Sequence, residues 1–166
     1  SSSLKISGKI RFNSCQILWN INTIGNARFN ESLHYAEEWE FYTRILSNGF
    51  RGISVDKVLY FARKHSESNT GEFWKGSDLR ESSNLLAVNL VIDHMSKKHL
   101  LSKKMRRHFF QLSVFFKERS ILQNLNRNTS SRNERIKYRV YYEIYPIMSF
   151  AYKKKMRLKS LFNLDS

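Results

Sequence analysis

The stretch Tyr35-Ala36-Glu37-Glu38-Trp39-Glu40-Phe41-Tyr42-Thr43-Arg44-Ile45-Leu46, followed by two runs rich in Val, Ile, Leu and Tyr at Arg51–Val55 and Lys57–Ala62, decides the fold class. Trp39, Tyr42, Ile45 and Leu46 recur at helical spacing and Gly49 stands where a helix stops, so the first part predicts a helix. The two runs around Asp56 predict a pair of short strands. Upstream, residues 10–19 read as an extended or mixed segment and residues 22–30 as a loop containing Gly25. A strand, helix, strand order predicts an α/β unit.

Beyond Thr70-Gly71 the pattern changes. Leu86, Leu90 or Val91, and Met95 recur at helical spacing between Asp78 and Met95. Phe109, Leu112, Phe116 and Leu122 do so between Lys103 and Leu125, which predicts two packed helices. Asn124 to Asn133 reads as a polar linker, and a third helical segment from Glu134 meets Pro146, which should end or kink it. The expected organisation is therefore an α/β part over residues 1–70 and a helical part over residues 71–166.

Charge separates the same two parts. The 166-residue chain carries a formal charge of +15, with 41% hydrophobic and 14% aromatic residues, which describes a globular chain and excludes a disordered one. Residues 1–70 hold 9 Lys/Arg against 6 Asp/Glu, whereas residues 71–166 hold 20 against 8, so the basic excess belongs to the helical part. Cys15 is the sole cysteine, which excludes an internal disulfide, and its apolar-rich neighbourhood reads as that of a small buried hydrophobe. No segment has the 18 or more consecutive apolar residues of a spanning helix, and Ser1-Ser2-Ser3 opens no signal-peptide pattern. The chain starts without Met, as a piece of a longer protein would.

The chemistry-bearing residues fall in two groups. Glu37 and Glu38 open the predicted helix, where the helix dipole favours ionised carboxylates, while crowding among Glu37, Glu38 and Glu40 opposes it. A carboxylate so placed can take a proton from a hydroxyl nucleophile, or simply stabilise the helix end. Trp39 suits either a core or a sugar platform. Arg63 and His65 alternate along an extended strand end and so share a face, followed by Ser68 and Thr70, a set fit for phosphate oxygens.

The run from Arg28 to Gly49, Arg-Phe-Asn-Glu-Ser-Leu-His-Tyr-Ala-Glu-Glu-Trp-Glu-Phe-Tyr-Thr-Arg-Ile-Leu-Ser-Asn-Gly, resembles the acceptor-side segment of family-two inverting glycosyltransferases of the GT-A fold. There a Phe-Asp-Glu-x-Leu stretch leads into Glu-Asp-Trp, an Arg-Leu pair and a Gly. Residues Lys57 to Thr70 look like the strand of that family that ends in Tyr-Arg-x-His-x-x-Ser-x-Ser/Thr. The resemblance covers roughly residues 10–70. It implies an α/β fold, a partial GT-A segment over residues 1–70, followed by a basic, mostly α-helical C-terminal region.

The implied function is that of the C-terminal part of a glycosyltransferase, moving a sugar from a nucleotide-sugar donor to a polysaccharide or lipid-linked glycan acceptor of the cell envelope. Glu38 matches the catalytic base, where the family carries Asp, and Glu37 matches the preceding acid. The extra methylene displaces the carboxylate by about an ångström, a shift that can cost on the order of a hundredfold in rate. Trp39, Arg63, His65 and Ser68 match substrate-binding positions, and His65 also a metal-facing one; Ala62 departs from a common Tyr. The family's Asp-x-Asp, which holds Mg²⁺ or Mn²⁺ on the donor diphosphate, is absent, since Asp56, Asp78, Asp93 and Asp165 are nowhere so spaced. The donor half is expected outside these residues, and activity is not expected from this segment alone.

The basic tail adds a partner expectation. Lys97-Lys98, Lys103-Lys104, Arg106-Arg107 and Lys153-Lys154-Lys155-Met156-Arg157-Leu158-Lys159 are mixed with Phe109, Phe110, Phe115, Phe116, Tyr141, Tyr142, Tyr145 and Phe150. That suits a helix on an anionic membrane surface and places the protein in the cytoplasm, peripheral on the inner face of the membrane. The competing readings are a solvated charged face, a non-catalytic module packed on another chain, and a nucleic-acid binder. The last lacks zinc-finger spacing, an RNP-like sequence or a glycine-rich clamp.

Overall fold

In the computed structural model, residues 16–50, 52, 53, 55–61, 68–148, 150 and 151 are described. The chain forms two compact units that divide between Leu100 and Leu101. The first holds α1 (Ile21–Ile24), α2 (Glu37–Ser47), α3 (Asn69–Trp74) and α4 (Asp78–Lys97). The second holds α5 (Lys103–Phe116), α6 (Arg119–Arg127) and α7 (Arg132–Glu143), with residues 145–148 helical again.

The described residues contain no strand, which overturns the expected α/β fold and with it the partial GT-A segment. Residues 52, 53 and 55–61, the described part of the two strands expected at Arg51–Val55 and Lys57–Ala62, are irregular. Ile53, Val58, Leu59 and Phe61 are 94%, 76%, 72% and 87% exposed. A β-rich composition expresses a fit to a pleated, half-buried surface, and here no described strand or sheet supplies that surface.

Helix α2 keeps the expected span to within two residues at its start. It opens on Ala36 at φ 63°, without a side-chain cap, and carries the acids Glu37, Glu38 and Glu40 in its first turn, where the helix dipole favours negative charge. It closes through Asn48 and Gly49, whose φ of 85° suits a residue without Cβ. Its buried Phe41, Tyr42 and Ile45 pack with Ile17, Trp19, Ala27, Leu46 and Phe50. Trp19 meets Phe41 edge-on at 5.7 Å, and Phe29 lies 4.4 Å from Phe41.

Helix α4 packs against both α2 and α3. It buries Ser83, Ala87, Val88, Val91, Ile92 and Met95, so Val91 and Met95 are inward as their spacing predicts, while Leu86 is exposed.

In the second unit the single helix expected from Lys103 to Leu125 is two. Lys117 adopts φ 58° and ends α5, and the chain restarts as α6 at Arg119. The polar appearance of Asn124 to Asn133 conceals the last turn of α6, in which Asn124 and Leu125 are buried, so only residues 128–131 connect to α7. Polarity hid this turn because Asn124 is satisfied locally: its Oδ1 accepts from Asn128 Nδ2 at 2.5 Å.

Helix α7 begins at Ser131, whose Oγ accepts from the Glu134 amide. The carboxylate of Glu134 takes the hydroxyl of buried Thr129 at 2.7 Å. Pro146 lacks an amide proton, and the helix breaks at residue 144 as expected, with the Met148 amide resuming the pattern onto the Ile144 carbonyl. Tyr145 then folds inward and donates to the Ser113 carbonyl at 2.5 Å; burial pushes its hydroxyl up to about 12. No helix among the described residues is long and apolar enough to cross a membrane.

Candidate functional site

The start of α2 is positioned by one serine. Ser83, buried on α4, accepts from the amides of His34 and Tyr35 at 2.8 and 2.9 Å and donates to the Tyr35 carbonyl at 2.9 Å. Arg80, one turn earlier, donates to the His34 carbonyl at 2.9 Å and pairs with Glu72 of α3 at 2.6 Å. The Tyr35 ring stacks on Phe73 of α3 at 4.5 Å with 8° between planes. The turn that launches Glu37 and Glu38 is thus fixed against α3 and α4 on both its backbone and its side-chain face.

Three acids in one turn have two different fates. Glu40 is 5% exposed, and both its oxygens bind Arg44, Oε1 to Nε at 2.5 Å and Oε2 to an η nitrogen at 3.1 Å. Arg44 in turn caps the Arg28 carbonyl at 2.7 Å and lies over the Phe41 ring at 5.3 Å. Glu37 and Glu38 are half-buried, and no described residue hydrogen-bonds or pairs with either carboxylate. Glu40 is therefore committed to the fold, and the doublet is what remains for a ligand. Trp39 beside it is half-buried, with its carbonyl taken by the Thr43 hydroxyl at 2.8 Å.

Removing Arg44 strands a buried carboxylate. Arg44→Ala is expected to cost about 3 kcal/mol, the low end for a broken buried pair because the arginine side chain is itself 31% exposed. Urea unfolding of this variant and of Glu40→Leu/Arg44→Leu checks it: the double variant should recover most of the loss.

At the far end of α2, Ser47 donates to the Arg44 carbonyl at 2.8 Å and lies 2.6 Å from His94 Nε2 on α4. With the hydroxyl proton so used, Nε2 carries the ring proton and donates to Ser47. Burial lowers the His94 pKa below its ordinary 6.5, Lys98 lowers it further, and Glu40 opposes them. A lowered folded-state value means that the unfolded chain binds the extra proton first. The stabilisation is complete above about pH 6.5 and declines as pH falls towards the folded-state value. Stability measured from pH 7.5 down to 5 should fall more steeply for the parent than for His94→Gln.

Of the remaining sequence-derived substrate-binding positions, Ser68 is the one among the described residues. Ser68 caps α3, its Oγ accepting from the Gly71 amide at 3.1 Å, which leaves the hydroxyl proton to donate. Arg63 and His65 lie outside the described residues, as does Cys15. Among the described residues no three His, Cys, Asp or Glu side chains are grouped as a metal site. Reading the sequence alone misses Ser83 and the Glu40–Arg44 pair. The second had a signal in its i, i+4 spacing; the first, bonded to residues 48 and 49 positions away, had none. Comparison with protein-family models, curated proteins and solved structures finds no match to this chain.

Proposed function

We propose that the chain is the acceptor-side part of a glycosyltransferase that moves a sugar from a nucleotide-sugar to a hydroxyl of a cell-envelope polysaccharide or lipid-linked glycan. The observation that carries this reading is the division of labour in the first turn of α2. Glu40 is consumed by Arg44, while Glu37 and Glu38 stay ligand-accessible on a turn clamped by Ser83 and Arg80. Inverting transfer requires one such carboxylate to take the acceptor hydroxyl proton as the new glycosidic bond forms. A rigidly launched carboxylate suits that task, because the base must be held to a fraction of an ångström.

In this reading Glu38 is the base and Glu37 sets the local field. Trp39 supplies an aromatic face for the acceptor sugar. Arg63, His65 and Ser68 are assigned to the donor diphosphate, as the sequence resemblance implies. The order and spacing of the two sequence motifs support the same assignment.

The test is a transfer assay with the protein in its native reading frame, using labelled nucleotide-sugars against cell-envelope glycan and lipid-linked acceptors. Product with inverted anomeric configuration is the expected result. Absence of transfer across the common donors, with donor hydrolysis also absent, overturns it.

A further inference from the structure

Helix α7 and the helical residues after it sort their side chains differently from the expectation that the tail's aromatics meet the outside. Tyr138 and Tyr145 are buried, and Tyr141 and Tyr142 are half-buried. Tyr141 lies 4.6 Å from the Phe110 ring, and Arg119 sits over Tyr142 at 4.9 Å. On the opposite side Ile136, Val140, Ile144 and Ile147 are 54%, 49%, 38% and 72% exposed, and Phe150 is 70% exposed. Ile136, Val140, Ile144 and Ile147 recur at steps of four, four and three, and the Ile144 and Met148 amides keep bonds to the Val140 and Ile144 carbonyls across the break at residue 144, so these four share one face roughly 16 Å long, with Phe150 beyond it. Single exposed apolar side chains need no explanation; several in register do.

The exposed charges around the stripe are mostly positive. At 3.6 residues per turn, Arg139 falls on one edge and Lys137 on the other, both exposed, with Arg132 at the helix start. Of the two acids of α7, Glu134 is turned to Thr129 and Arg106, while exposed Glu143, seven residues from Ile136, lies within the stripe and offsets one of these cations. The unit as a whole, residues 101–166, holds 16 Lys/Arg against 4 Asp/Glu.

We propose that this face lies on an anionic phospholipid surface. The isoleucine stripe and Phe150 would enter the acyl boundary, while Arg132, Lys137 and Arg139 meet headgroup phosphates. The pattern selects this occupant. Nucleic acid would use the cations but leave the apolar stripe in water. A second copy would set Arg132, Lys137 and Arg139, offset only by Glu143, against the same three cations. The inference is independent of the transferase reading and survives its failure.

The experiment is vesicle flotation of the intact chain at about 0.15 M salt, comparing phosphatidylcholine alone with phosphatidylcholine containing about 30 mol% phosphatidylglycerol. At least tenfold more protein is expected on the anionic vesicles. Val140→Asp/Ile147→Asp should lower that partitioning at least tenfold, and Lys137→Glu or Arg139→Glu by roughly fivefold each. Far-UV circular dichroism monitors folding; if the aspartates melt the helix, Val140→Ser/Ile147→Ser replaces them with the same expected direction.

Equal binding to both vesicles, or parental binding by the stripe variants, overturns the proposal. So does a stripe-dependent dimer in light scattering, or duplex DNA binding at the same salt that outcompetes vesicles and ignores the stripe.

Discussion

Phe109→Ala is expected to lower the unfolding free energy by about 4 kcal/mol. Phe109 is fully buried and is the largest of the fully buried side chains. It lies on α5 one turn from Met105 and one turn from Ser113, which are also buried, and α5 packs along α6. The facing helix contributes Ile121, Leu122 and Leu125, each no more than 1% exposed. A core of this kind is sealed on all sides, so truncation loses the transfer free energy of the ring and also leaves a cavity that neighbours fill only in part.

Small domains are stable by only about 5–15 kcal/mol, so the loss should move the urea midpoint far towards zero. Phe109→Leu, which keeps most of the volume, should cost no more than about 1.5 kcal/mol. A loss below about 1 kcal/mol for the alanine variant would contradict the α5–α6 packing.

How much of this fold was legible in the letters depends on what each element leans on. Helix α4 is long and periodic, and its apolar positions announce it. Helix α2 is legible for the same reason, together with the glycine that ends it. The runs of Val, Ile and Leu around Asp56 mislead because strand propensity describes a neighbour as much as a residue. Helix α6 was only half visible: its asparagines suggest a linker, yet Asn124 is bonded within its own helix and Leu125 carries the buried face.

The turn at Lys117 needs a left-handed residue, which glycine or asparagine would have signalled and lysine does not. At the site, the acid cluster was visible, but not which acid the fold would claim. That was decided by burial of Glu40 beside Phe41 and by the reach of Arg44 back to Arg28, both consequences of packing.

Glu38→Gln is the substitution on which the transferase reading stands, and its expected effect is a fall in kcat of a hundredfold to ten-thousandfold. Glutamine keeps the shape and hydrogen-bonding reach of glutamate but cannot accept a proton from a hydroxyl. Glu38 is half-buried and no described residue binds its carboxylate, so the exchange breaks no observed contact. The urea midpoint should therefore shift by no more than the equivalent of about 0.5 kcal/mol. Glu37→Gln supplies the control, since the same charge is lost from the same helical turn; if it acts only through the local field, kcat should change by no more than about threefold.

Glu38→Asp restores a carboxylate on a stem shorter by one methylene and should recover at least tenfold over the glutamine variant. A loss of activity that follows Glu37 instead would move the base by one residue. Parental kcat in both glutamine variants would reduce the doublet to helix-end electrostatics, and the role of the α2 turn would then be structural, as it already is for Glu40 and Arg44.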